Sequence, residues 1–101
     1  MPGASGRMEI VDGTIAPCGF QQLTALSAAV ALTVPEGADT AMIQAENQQV
    51  RWRDDGTNPT ATVGMFIPAG QSIWFTGNLS RVKFIEEAPS AKLDVAYYFS
   101  G

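Results

Sequence analysis

Histidine is missing altogether from the 101 residues, and cysteine occurs once, at Cys18. The first absence removes the commonest general base, the commonest zinc ligand and every Ser–His or Cys–His device. The second rules out an intramolecular disulfide, and so a stapled secreted scaffold, and points to synthesis in a reducing cytoplasm. Charge is scarce as well: Asp, Glu, Lys and Arg make up 16% of the chain, against roughly a quarter in ordinary soluble domains. A surface so poor in ions buries easily against other proteins, because few charges must be desolvated. The same composition also suits a neutral-polar surface that meets only water.

Other absences narrow the partners. The six Lys and Arg are scattered and the net charge is −4, so the basic footprint that nucleic acid requires is lacking. The longest apolar stretch, Ala28 to Leu32, is too short to cross a bilayer. Met1 to Arg7 has no apolar run of the signal-peptide kind. Neither nucleic acid nor membrane is expected as a partner.

What is present is a hydrophobic fraction of 46%, enough for one domain with one core, and a phrase that occurs twice. Val34-Pro35-Glu36-Gly37 leads through Asn47 to Val50-Arg51-Trp52, and Ile67-Pro68-Ala69-Gly70 leads through Asn78 to Val82-Lys83-Phe84. Each copy predicts a Pro-Gly turn, a strand, a polar turn and a second strand whose basic residue points outward between two apolar ones. Two similar hairpin units imply a small all-β protein.

Along the chain, residues 1–11 are expected to form a flexible arm and residues 12–101 a β-sandwich domain. Within the arm, Met8-Glu9-Ile10-Val11 suits a short strand ended by Asp12-Gly13. Pro17 breaks the chain before a strand at Phe20 to Leu23. Leu23 to Val34 carries some helical spacing, but its Thr and Ser interruptions favour two extended pieces joined near Ser27-Ala28-Ala29. Thr40 to Glu46, Val50 to Arg53, Thr60 to Ile67, Gln71 to Phe75, a segment through Val82 and Phe84, and Leu93 to Phe99 follow as strands, with a turn at Asp54-Asp55-Gly56. The predicted architecture is a single antiparallel β-sandwich, jelly-roll-like. Its expected core is Phe20, Leu23, Ile43, Val50 and Trp52, together with Val82, Phe84, Leu93, Val95, Tyr97 and Phe99.

No residue pattern argues for catalysis, a cofactor or a metal. The carboxylate pairs Asp54-Asp55 and Glu86-Glu87 fall at a turn and at a strand end, where structural roles suffice. Asp54, Asp55 and Asn58 lack the spacing of a calcium loop, and neither Pro-Gly turn is a phosphate-binding fingerprint. Cys18 suits a small buried hydrophobe. The sequon Asn78-Leu79-Ser80 has meaning only in a secreted chain. The protein is therefore not expected to be an enzyme. One of Ile73, Trp74 and Phe75 must face outward, which makes Trp74 a candidate interface or ligand residue, with Tyr98 a second. Met8 and Ile10 on the arm complete the candidate contacts. Trp74 and Tyr98 also suggest an alternative, a carbohydrate-binding β-sandwich module stacking sugars on the two rings.

The strings Gly19-Phe20-Gln21-Gln22-Leu23, Val34-Pro35-Glu36-Gly37-Ala38, Val50-Arg51-Trp52-Arg53-Asp54-Asp55-Gly56 and Ile67-Pro68-Ala69-Gly70 resemble small bacteriophage virion proteins of the capsid decoration, or cement, type. The resemblance covers most of the chain from residue 19 onward and carries no catalytic motif. It implies a structural role in the virion after synthesis in the bacterial host cytoplasm. The implied partners are the protein itself, as a trimer or dimer, and the major capsid protein or another virion protein, with a tail-associated adhesion component as the alternative setting.

Overall fold

Eight strands lie in two four-stranded antiparallel sheets, arranged like a sandwich around one apolar core, in a computed structural model that describes residues 15–100. The strands are β1 (Ala16–Leu23), β2 (Val30–Ala31), β3 (Thr40–Glu46), β4 (Val50–Arg53), β5 (Met65–Ile67), β6 (Ser72–Thr76), β7 (Lys83–Glu86) and β8 (Lys92–Phe99). The first sheet has the order β1-β8-β3-β6 and the second β2-β7-β4-β5. The predicted arm, the strand at Met8 to Val11 and the turn at Asp12-Gly13 lie outside the described residues.

The repeated phrase builds one device twice. In each copy the Pro-Gly turn closes with a hydrogen bond across four residues, Ala38 N to Pro35 O (3.1 Å) and Gln71 N to Pro68 O (3.0 Å). Its third residue needs positive φ, supplied by Gly37 (88°) and Gly70 (85°). The turns deliver the chain into β3 and β6. The second strands of the two copies, β4 and β7, lie in the opposite sheet. The units are therefore arches between sheets, and the expected hairpins are corrected accordingly. The reason is that the linking segments turn the chain out of its own ladder. Asn47 takes left-handed φ (72°) while its Nδ2 donates to Ser90 O (3.1 Å). At the other corner a single 3-10 turn, Leu79–Arg81, is capped by Asn78, whose Oδ1 accepts from Ser80 N (3.2 Å), and it buries Leu79. The two arches then pair with each other, β3 with β6 and β4 with β7, so that Trp52 sits opposite Phe84.

Alternation fills the space between the sheets. Ala41, Ile43 and Ala45 of β3 meet Leu93, Val95 and Tyr97 of β8, and Val50, Ile67, Val82 and Phe84 close the core from the other side. Each large side chain buried this way contributes roughly 1.5–3 kcal/mol. Leu23 and Trp52 pack against this core half-buried, Trp52 edge-on to Phe75 across the sheets at 5.9 Å. Two expected core residues are corrected. Phe20 is 67% exposed, because it lies three residues from the inward Leu23 and a strand sends such positions to opposite faces. Phe99 keeps the inward phase but is exposed, opposite Ala16 at the end of the ladder, beyond the reach of the core.

Several boundaries also shift. Leu23 to Val34 is extended with a bend at Ser27 and Ala28, as expected, but after Leu23, the last residue of β1, its strand content is the two-residue β2. Pro17 does not break the chain: β1 runs through it as an edge strand, with its register shifting between Pro17 and Gly19. Thr60 to Gly64 is loop rather than strand. The Thr60 hydroxyl accepts from the backbone N–H of Thr62 and Val63 (3.3 and 3.0 Å), a local alternative to a sheet ladder.

Candidate functional site

Because Ile73 and Phe75 turn inward, Trp74 is forced outward, and the register decides what surrounds it. Trp74 lies opposite Met42, Met42 opposite Ala96, and Ala96 opposite Phe20. An apolar row thus crosses all four strands of the first sheet on its solvent side. Tyr98 stands diagonally across β3 from Trp74, with ring centroids 5.5 Å apart and planes inclined at 45°. Thr40, the one buried polar residue among the described ones, faces outward beside the two rings. Its hydroxyl donates to Asp39 Oδ1 (3.0 Å) and lies 3.4 Å from that of Thr76.

Polar residues border the row. Gln22, Asp94, Gln44 and Ser72 form the neighbouring line of the register, and Gln22 Nε2 donates to Asp94 Oδ1 (2.8 Å). A hydrogen bond shared with Asp94, and its negative charge, hold the Glu46 carboxyl above its usual range. At the opposite margin Asp39 accepts from the Ser100 hydroxyl (2.9 Å) and the Ser100 N–H (3.0 Å). These bonds, the hydroxyl foremost, lower its pKa. They also tie the end of β8 to the start of β3.

The two candidate residues on the sheet, Trp74 and Tyr98, are thus brought together; Met8 and Ile10 lie outside the described residues. Met42, Ala96 and Phe20 complete the surface and were not singled out from the sequence. Met42 was legible there, since Ala41, Ile43 and Ala45 pointing inward leave it outward, whereas its alignment with Phe20 and Trp74 required the register.

A shallow cleft of about 270 Å³ lies between the end of β4 and the start of β5, lined by Trp52, Arg53, Asp54, Asp55, Gly64 and Met65. Two of its charges engage each other. Arg53 grips Asp55 through both carboxylate oxygens (3.1 and 2.5 Å), and that bond, ahead of one from Thr57 N, holds the Asp55 carboxyl down to about 2. Glu87 is bound by Gln49 Nε2 (2.7 Å) and Arg51 Nε (2.6 Å), which lower its pKa. Glu86 accepts from Ala91 N (3.3 Å). Among the described residues, no three His, Cys, Asp or Glu side chains converge where a metal ion would sit. What the first sheet offers chemically is apolar area and aromatic faces, suited to binding by burial and stacking.

No protein-family model, curated protein or solved structure matches this chain.

Proposed function

We propose that this protein is a structural accessory component of a bacteriophage virion, a decoration or cement protein that self-associates as a dimer or trimer on the capsid surface. The observation that carries the reading is the outer face of the first sheet. It is an apolar row with Trp74 and Tyr98 side by side, bordered by short polar side chains of which Asp94 is charged, on a domain where Asp55 and Glu87 are held by its own arginines. Such a face costs little to desolvate and gains from burial against another protein. The sequence resemblance supplies the virion as the setting. Many modest contacts, repeated by symmetry, would clamp neighbouring capsomers without any single strong site.

The strand order supports a jelly-roll arrangement for the sandwich. Strands pair as β1 with β8, β2 with β7, β3 with β6 and β4 with β5, the pattern of one long antiparallel ribbon folded over into two sheets. Architectures of this kind recur in capsid proteins and lectins alike, so fold alone does not choose the function.

Mass spectrometry of purified particles from a phage that encodes the chain tests the proposal. The protein is expected at a fixed ratio to the major capsid protein, and its absence from virions sinks the reading. One geometric fact favours a second reading: exposed Trp74 and half-buried Tyr98 form an adjacent pair on which a sugar ring would stack. A glycan array gives binders lost in Trp74→Ala if that reading holds, and none if it does not.

A further inference from the structure

A sandwich of open sheets has four edge strands, and each edge exposes unpaired backbone groups that invite another chain unless something blunts it. Three of the four are blunted here. β1 carries Pro17 and a register shift beside it, β2 has two residues, and β5 has three and runs into Pro68. β6 is different. Ser72-Ile73-Trp74-Phe75-Thr76 is five residues long, uncharged, free of proline and rich in β-forming side chains.

Its hydrogen bonding fixes which groups face outward. Ala45 N donates to Gln71 O (3.1 Å) and Gly77 N to Asp39 O (3.1 Å), while Ile73 and Phe75 lie opposite Ile43 and Ala41. Bonded pairs alternate in an antiparallel ladder. Ile73 and Phe75, with the carbonyl of Gln71 and the N–H of Gly77, therefore bond to β3, and Ser72, Trp74 and Thr76 turn their backbone groups to the open edge. The flank is apolar too. β5 borders it through the Pro68–Gln71 turn, and Val63, Met65, Phe66 and Trp74, four of the six most exposed large apolar residues described, belong to these two strands and the loop before β5.

We propose that β6 is the self-association edge: it pairs antiparallel with β6 of a second copy across a twofold axis at Trp74, joining the two first sheets into one continuous sheet. The strand is self-complementary about that axis. Trp74 meets the partner's Trp74, Ile73 meets the partner's Phe75 on the inner side, and Ser72 meets the partner's Thr76 on the outer side. Every outward N–H and C=O of Ser72, Trp74 and Thr76 then finds a partner, and the row from Phe20 to Trp74 continues into the second copy. This deepens the self-association in the proposed function and rests on that part alone, independent of the virion setting.

Sedimentation velocity of the purified full chain over a range of loading concentrations, with circular dichroism to verify the fold, tests it. The wild type is expected to reach a dimer. Ser72→Lys with Thr76→Lys sets like charges opposite each other twice across the axis and should weaken the dimer about tenfold or more. Ser72→Lys with Thr76→Glu sets opposite charges there and should restore it. If the charged variants unfold, Trp74→Cys in a Cys18→Ser background decides. Paired residues at the axis stand about 5.5 Å apart at Cα, within disulfide range, so air oxidation should give a covalent dimer. A wild type that stays monomeric, as it would if residues 1–14 of the same chain covered the edge, overturns the proposal. So does a trimer, a dimer indifferent to both charge pairs, or a Trp74→Cys protein that does not cross-link. Absence from virions leaves this proposal standing, and a trimer leaves the virion reading standing.

Discussion

The two sheets are built by the same alternation, yet their solvent faces differ in where their charges lie. The first sheet shows water Phe20, Met42, Trp74 and Tyr98; the second shows Arg51, Arg53, Lys83 and Glu87 around an exposed Phe66. On the second sheet the charged side chains attend to their own surroundings. Arg51 binds Glu87 and the carbonyl of Gly64 (2.9 Å), and its guanidinium lies over the Phe66 ring, 5.3 Å from the centroid. Long cationic stems thus cover apolar surface from within the chain. On the first sheet the line beside the apolar row, Gln22, Asp94, Gln44 and Ser72, is made of shorter side chains, with Asp94 its one charge. A face whose apolar rings are partly covered by its own cations gains less from a neighbour than one whose exposed ring, Trp74, has no cation over it among the described residues.

The largest way to break this comparison is to remove what both faces share. Phe84→Ala opens a cavity in the core between the sheets and should cost about 3–5 kcal/mol by chemical denaturation. A loss under about 1 kcal/mol would mean the core is not packed as described. Acid comes next and acts on the charged network. Asp39, Asp55 and Glu87 have depressed pKa values, so their stabilisation is full above the ordinary carboxylate range and lost as pH falls through the folded values, down to about 2 for Asp55. Thermal melts should therefore decline between about pH 5 and pH 2, and Asp55→Asn should flatten part of that decline; an equal decline in the variant would remove Asp55 from the account.

Trp74→Ala sharpens the contrast most directly. It removes a 49% exposed ring and its pairing with Tyr98, which should lower monomer stability by only about 1 kcal/mol. A loss comparable to that of Phe84→Ala would show that the aromatic row supports the fold rather than a partner. The smallest effect is expected from Glu46→Gln. Glu46 is raised by its hydrogen bond and charge contact with Asp94, so the folded state holds more proton than the unfolded one above the ordinary Glu value. Stability from this group falls as pH rises through its folded pKa. The neutral amide should raise the melting temperature slightly at pH 7 and leave it unchanged near pH 3; a lower melting temperature at pH 7 would show that the pair is favourable as it stands.

Local chemistry fixes much of this molecule in advance. The paired Pro-Gly turns, the strands Thr40 to Glu46 and Val50 to Arg53, and the inward phase of Leu93, Val95 and Tyr97 all follow from φ restrictions and twofold alternation, which act within a few residues. So does the outward turn of Trp74 between two apolar neighbours. The tertiary structure alone decided that the repeated units are arches between sheets, because which strands share a ladder depends on partners some thirty residues apart. It alone decided that Phe20 belongs with Met42 and Trp74, since side chains on four strands form one row only when three registers agree. The same holds for β6 as an open edge: its residues announce a strand, but only the sheet order leaves one side of that strand without a neighbour among the described residues.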